Sequence, residues 1–294
     1  MSITAKACAK SILLGEHAVV YGKYGISIPI KSLYTLATAS NENYNFETDK
    51  ELDEEEYKKL SKVLKLVYEK LNKKISIKIE SNIPTASGLG SSASLCIAII
   101  RAISNYYKLN LENEKINEIA FECEKIFHGT PSGIDNTTIV YEKPILFKKG
   151  KFEFINLKKP LHLIIANSGI KSKTKEVVEE VKKNYLKNEN KYSEIFEKIN
   201  EISLEAKIAL EKNDLKKLGK LMVKNHELLC SIDLSNTEIN NLVNKSLKNG
   251  AFGSKLVGSG KGGNIIALVD EKNKLKVYNS LKEISKEVYM CVIT

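Results

Sequence analysis

Ile83-Pro-Thr-Ala-Ser-Gly-Leu-Gly-Ser-Ser-Ala-Ser-Leu95 is a glycine- and serine-rich loop between two periodic segments. Upstream, Ile75-Ser-Ile-Lys-Ile79 alternates and reads as a strand; downstream, residues 93–106 read as an apolar helix. A loop that leaves a strand and opens a helix presents unpaired N–H groups and the positive end of the helix dipole, which favour an anion. Gly88 and Gly90 permit a close backbone approach that a Cβ would block. Ser87, Ser91 and Ser92 add hydroxyls that can bind phosphate oxygens or a magnesium ion. A merely capped loop would use the same residues, because serine is common at helix starts. The stretch is not a Walker A loop, since no Gly-Lys-Ser/Thr closes it, and it is not Gly-x-Gly-x-x-Gly.

Working outward, 294 residues suffice for a large core, and two domains are the expectation. Hydrophobic content of 43% with 28% charged residues is that of a globular protein. Lys and Arg number 46 against 36 Asp and Glu, a formal +10. The excess suits anionic small substrates better than nucleic acid, because the lysines are spread among glutamates, Arg101 is the only arginine, and no aromatic ladder accompanies them. The five cysteines (Cys8, Cys96, Cys123, Cys230, Cys291) lack Cys-x-x-Cys spacing and mostly lie in apolar runs, so reduced thiols in a cytoplasmic protein are expected. The N-terminus lacks the pattern of a signal peptide, and no apolar run approaches the roughly 20 residues of a spanning helix, so no membrane partner is expected.

In chain order, residues 2–9 alternate loosely and 11–14 are apolar. Gly15-Glu-His-Ala-Val-Val-Tyr-Gly22 is bracketed by two turn glycines. Residues 26–30 and 34–39 read as strands, and 50–72 as a helix with Leu60, Val63, Leu64, Val67 and Leu71 on one face. A second helix over 113–127 carries Glu122 and Glu124 near its C-terminal end, where acids oppose the dipole; either Lys125 or a nearby cation would supply the reason. His128-Gly-Thr-Pro-Ser-Gly-Ile-Asp-Asn136 then breaks the helix and can present a carboxylate on a stiff turn. Residues 138–147 and 161–167 read as strands. From 171 to 231 the chain is long Lys/Glu-rich helix with a break near Asn213-Asp214. Residues 237–249 read as helix, 253–263 as a second glycine-rich loop, 264–270 as strand, 273–287 as helix and 288–293 as strand. The rhythm lacks regular βαβ repeats and points to an α+β class in two halves, 1–155 and 156–294.

Three glycine-containing segments together resemble the signature motifs of the GHMP small-molecule kinase superfamily. They are Ala9-Lys-Ser-Ile-Leu-Leu-Gly-Glu-His-Ala-Val-Val-Tyr-Gly22, residues 84–93, and residues 255–263. Gly-Glu-His-Ala-Val-Val-Tyr-Gly, His-Gly-Thr-Pro-Ser-Gly-Ile-Asp-Asn and Asn225-His-Glu-Leu-Leu229 are similar to the mevalonate kinase branch in particular. The resemblance implies an N-terminal domain like ribosomal protein S5 and a ferredoxin-like C-terminal domain with extra helices. It also implies ATP and Mg2+ as cofactors, mevalonate as the small-molecule partner, phosphorylation at its C5 hydroxyl, and leaves a homodimer open. Other readings are another GHMP kinase, such as a phosphomevalonate kinase, or a catalytically dead fold serving as a ligand sensor.

Residue by residue, the resemblance assigns Asp135 as acceptor of the hydroxyl proton and Lys10 as the cation beside it. Ala86, Ser87, Gly88, Leu89, Gly90, Ser91 and Ser92 would wrap the ATP phosphates, with Lys10 near them and Ser81 near the base. Ser92 and Glu124 would ligate magnesium, which gives Glu124 its reason. Glu16, His17 and Thr130 would line the acceptor site. Thr174 and Lys261 are further candidates without an assigned role. His128, His162 and His226 read as structural. Phosphoryl transfer needs positioning and charge neutralisation more than covalent chemistry, so this residue set suits it. Lys261 departs from the glycine usual in the third motif, and a lysine there would be electrostatically sensible beside phosphates.

Overall fold

A computed structural model describes residues 2–41, 46–84 and 88–294. Ala86 and Ser87 lie outside the described residues. The contacts cluster into two units, each drawn from separated stretches: Met1–Lys10, Pro29–Thr85 and Gly90–Glu142 in the first, Ser11–Ile28, Ala86–Leu89 and Lys143–Thr294 in the second.

Two long strands, β1 (Ser2–Leu14) and β2 (Gly25–Ser40), pair with each other and replace the four short segments expected there. In the first unit the later part of β2 pairs antiparallel with β4 (Ser76–Ser81), Thr35 lying opposite Ser81. The three-residue β3 (Phe46–Thr48) pairs parallel with β4. Among the described residues this unit holds the helices α1 (Glu54–Leu71), α2 (Ser91–Tyr106), α3 (Asn113–His128) and α4 (Ile134–Tyr141). The five residues expected to face inward on α1 are all buried, and Asp53 and Glu56 form a capping box at its start, worth about 1 kcal/mol. Val63, Ile77, Ile97, Ile100, Ile119 and Ile139 share one core with the buried face of the strands.

Part of the expected strand 138–147 is helix. Residues 134–141 form α4, and only Ile145–Lys148 is strand (β5). The run Thr137-Thr-Ile-Val140 looks extended because β-branched residues favour strands. Here Thr137 Oγ1 donates to the Gly133 carbonyl and Thr138 Oγ1 to that of Ile134, each at 2.7 Å, so both hydroxyls are satisfied one helical turn back. Packing against α2 and α3 completes the override of local propensity.

In the second unit Gly25–Ser27 of β2 pair antiparallel with β5, and β5 with β6 (Lys151–Phe154), a strand the sequence did not reveal. The main sheet contains β7 (Leu161–Asn167), β8 (Gly253–Leu256), β9 (Asn264–Val269) and β10 (Glu287–Ile293). Its order is β10-β7-β9-β8, with every neighbouring pair antiparallel. That is the ferredoxin-like order, with α5 (Thr174–Lys187), α6 (Glu189–Lys212), α7 (Leu215–Cys230) and α8 (Thr237–Lys248) before β8, and α9 (Lys274–Lys282) before β10. The long helical stretch breaks at Asn213, as expected, and also at Asn188, whose side chain caps α6. The first four residues of the expected loop 253–263 are strand β8. Among the described residues no helix is long and apolar enough to cross a membrane, and all five cysteines are free.

Within this unit His226 on α7 is buried, and its Nδ1 accepts from the Leu256 N–H at 3.4 Å. Burial, aided by the Lys255 charge, lowers its pKa to about 4. The unfolded chain therefore takes a proton near pH 6.5 that the folded chain refuses until about pH 4. Stability should fall as pH drops through that window, by about 3 kcal/mol, and be fully present above it. Urea unfolding of the parent and His226→Gln at pH 4.5 and 7.5 checks this. An identical pH slope in the two would remove His226 as its source.

Candidate active site

In the first unit Lys10 is buried at the point where β1 passes the start of α2. Its ammonium lies 3.0 Å from Asp135 Oδ1. Asp135 sits in the first turn of α4, where the dipole favours a carboxylate, after the left-handed N-cap Gly133. The Asn136 amide donates to Asn117 Oδ1 at 2.6 Å and ties that turn to α3. Gly90 is the N-cap of α2 with φ +74°. A Cβ there would meet the Lys10 side chain at 2.9 Å, so glycine is what lets the lysine pass. Among the described residues no side chain caps this helix start, so the first-turn N–H groups of Ser91 and Ser92 suit an anion.

Ser92 and Glu124 meet beside this pair. Glu124 is almost fully buried near the end of α3. Burial first, then the Asp135 charge, raises its pKa to about 8, against the opposing hydrogen bond from Ser92 and the charge of Lys10. Its Oε1 has no hydrogen-bond partner among the described residues. A buried carboxyl oxygen without a partner costs free energy unless a donor or a cation reaches it. A divalent cation would do so, and Ser92 Oγ with Glu124 is an oxygen donor set suited to Mg2+. Among the described residues no group of three or more His, Cys, Asp or Glu is arranged to hold a metal. A cation held mainly by phosphates and water needs only the one or two protein ligands present here.

His128, expected to be structural, belongs to this cluster. Its Nε2 lies 3.1 Å from Ser92 Oγ and 3.7 Å from Glu124 Oε2. The signal was available, since Glu124 and His128 are four apart on one helix and share a face. Thr130 follows in an exposed turn, its N–H donating to the His128 carbonyl at 2.8 Å. Ser81 closes β4, 3.1 Å from Thr35 Oγ1.

The second unit holds Glu16, His17, Gly88, Leu89 and the third motif. Gly88, φ +75°, packs so closely on Gly258 that a Cβ would come within 3.2 Å of its Cα. The Glu16 carboxylate is hydrogen-bonded to the Lys255 ammonium, both fully buried. The His17 Nε2 lies 2.9 Å from the Ser259 carbonyl oxygen. A carbonyl only accepts, so Nε2 carries the proton. Burial lowers the His17 pKa, so the ring is neutral and its Nδ1 remains an acceptor. Thr174 Oγ1 accepts from Ser259 Oγ at 3.3 Å.

Two family models match, the N-terminal domain of GHMP kinases over residues 58–143 and their C-terminal domain over 206–286. A mevalonate kinase of Methanocaldococcus jannaschii is 34% identical, the match covering 95% of each chain. One of Thermococcus sibiricus is 32% identical over 92% of this chain and 90% of that protein. The chain belongs to the mevalonate kinase family. The crystal structure of L. major mevalonate kinase in complex with R-mevalonate superposes with TM-score 0.89 at 31% identity, covering 99% of this chain and 95% of that one.

As a member of the mevalonate kinase family, the chain is an ATP-using kinase. One lysine takes a different role from that suggested by charge alone. Lys261 Nζ donates to both carboxylate oxygens of Glu180, at 2.7 and 2.6 Å, so its charge is taken up by a glutamate on α5. Its φ is +57°, the left-handed region that glycine occupies at little cost. Lys261→Gly should therefore exchange a half-exposed ion pair for relief of backbone strain, leaving stability within about 1 kcal/mol and the KM for ATP within about twofold. Urea unfolding and an ATP titration measure both. A large rise in the KM for ATP would show that the ammonium serves the phosphates after all.

Proposed function

We propose that the chain transfers the γ-phosphoryl group of ATP to the C5 hydroxyl of mevalonate, giving 5-phosphomevalonate and ADP in the cytoplasm, as a step of isoprenoid synthesis. The observation that carries this reading is the buried Lys10 held 3.0 Å from Asp135, next to the open N-terminus of α2 and the Ser92–Glu124 pair. The likeness to the R-mevalonate complex supports the choice of acceptor.

In this reading the C5 oxygen attacks the γ-phosphorus, the bond to ADP breaks, and ADP keeps the electron pair. Asp135 receives the hydroxyl proton, and Lys10 offsets the negative charge that grows on the attacking oxygen. The N–H groups of α2, with Gly88, Leu89 and Gly90 before them, receive the phosphates. Ser92 and Glu124 would hold Mg2+, which would supply charge neutralisation to the phosphates. His17 would offer Nδ1 to a hydroxyl of the acceptor, the role the resemblance assigns it.

A coupled ADP-release assay with mevalonate, phosphomevalonate, galactose and homoserine tests the assignment, with 31P NMR of the product. Turnover is expected with mevalonate alone. A phosphomevalonate already carries its phosphate where the reacting hydroxyl should be. Efficient use of phosphomevalonate would replace this reading with the neighbouring kinase, and no turnover with any acceptor would favour a sensor.

A further inference from the structure

His17 has φ +59° and ψ −50°, a conformation that an L-residue with a bulky side chain rarely adopts. Such strain persists only where the surroundings over-determine it. In the second unit two contacts from one segment do so. Lys255 on β8 holds the Glu16 carboxylate one residue before His17, and the Ser259 carbonyl, four residues beyond Lys255, accepts a hydrogen bond from His17 Nε2–H. Lys255 is itself fixed, donating also to the Leu256 carbonyl at 2.6 Å. On the other side the turn is anchored by Tyr21, which stacks on Phe196 with ring centroids 4.7 Å apart.

We propose that Lys255 is a positioning residue that, through Glu16, locks the His17 backbone and so fixes the orientation and tautomer of the imidazole. A fully buried ion pair is a poor way to gain stability, because desolvation of two charges offsets their attraction, and apolar replacements are often as stable. It is a good way to define one geometry, since a shifted turn would leave two charges buried apart. Glu16, at 1% exposure, acts in this account by holding the turn rather than by touching the acceptor. The sequence carried a faint signal: a lysine in the otherwise uncharged strand Gly253-Ser-Lys-Leu256.

The inference rests on the placement of His17 at the acceptor, and the experiment separates the two. The chain has four histidines, so 15N-labelled histidine spectra can be assigned by single replacements. The double variant Glu16→Leu/Lys255→Met replaces the pair by apolar groups and should keep a thermal midpoint near that of the parent. Its His17 Nε2–H tautomer signal should disappear or exchange between tautomers, and the KM for mevalonate should rise about tenfold or more with the KM for ATP within about threefold. Should the double variant not fold, Glu16→Gln, which keeps the shape but not the charge, is expected to perturb the same His17 signal. An unchanged His17 signal in either folded variant overturns the proposal. A changed signal with an unaltered KM for mevalonate upholds the lock and removes His17 from the acceptor site instead.

Discussion

Asp135→Asn is expected to lower kcat by about 10²-fold or more while ATP binding stays close to that of the parent. The carboxylate lies 3.0 Å from the Lys10 ammonium in the first turn of α4. Asparagine fits the same turn and can still accept a hydrogen bond, so the fold and the Lys10 position are preserved. It cannot take up a proton at neutral pH, and the hydroxyl proton of the acceptor then has to leave to water. The loss should therefore fall on kcat and on kcat/KM for mevalonate alike. Single-turnover rates with saturating ATP measure it, together with nucleotide binding by calorimetry. Near-parental turnover would remove Asp135 from the reaction, and a matching loss of ATP affinity would indicate a disrupted phosphate site.

Glu124→Gln should raise the magnesium concentration for half-maximal rate by about tenfold or more, because a charged ligand to a hard cation is lost. The same variant separates metal binding from stability. With its pKa raised to about 8 by burial, Glu124 in the metal-free fold keeps a proton that the unfolded chain loses near pH 4.5. The folded state thus binds more protons across that window, so metal-free stability declines as pH rises from about 4.5 to 8. Over the full window the decline is on the order of 5 kcal/mol. Glutamine cannot ionise, so the variant should lack that slope and match or exceed the parent at pH 8. Denaturant unfolding in the presence of a chelator at pH 5, 6.5 and 8, set beside a magnesium titration of the rate, provides both readings. An unchanged magnesium requirement would exclude Glu124 as the ligand. Parallel slopes in parent and variant would assign the pH dependence to another group.

Both variants change residues that the sequence singled out, and the reason is local. Gly90 before Ser91-Ser92, and Gly133 before Ile134-Asp135, each mark a helix start, and the backbone conformation there is set by the residue itself. An acid near the C-terminal end of α3 stood out because the helix dipole opposes it. The apolar face of α1 and the strand entering the glycine loop were legible for the same reason, since a periodic pattern is a property of neighbours in the chain.

Other features depended on partners far along the chain. The stretch from Ile134 to Tyr141 has strand-like residues and forms a helix, because packing against α2 and α3 outweighs a preference of a few tenths of a kcal/mol per residue. Lys261 carries the charge suited to a phosphate, but folding brings Glu180 to it first. His128 becomes part of the Ser92–Glu124 cluster only when α2 and α3 pack. Glu16 and Lys255 are 239 positions apart, and nothing in either neighbourhood names the other. By itself the sequence determined the family, the two-part α+β architecture and the kind of chemistry, because those are written in short motifs whose glycines, caps and periodicities constrain their own backbone. Which charge meets which, and whether a given side chain faces substrate or another side chain, was decided only by the tertiary structure. Burial and electrostatic partnership depend on what folding brings near, and sequence separation carries no record of it.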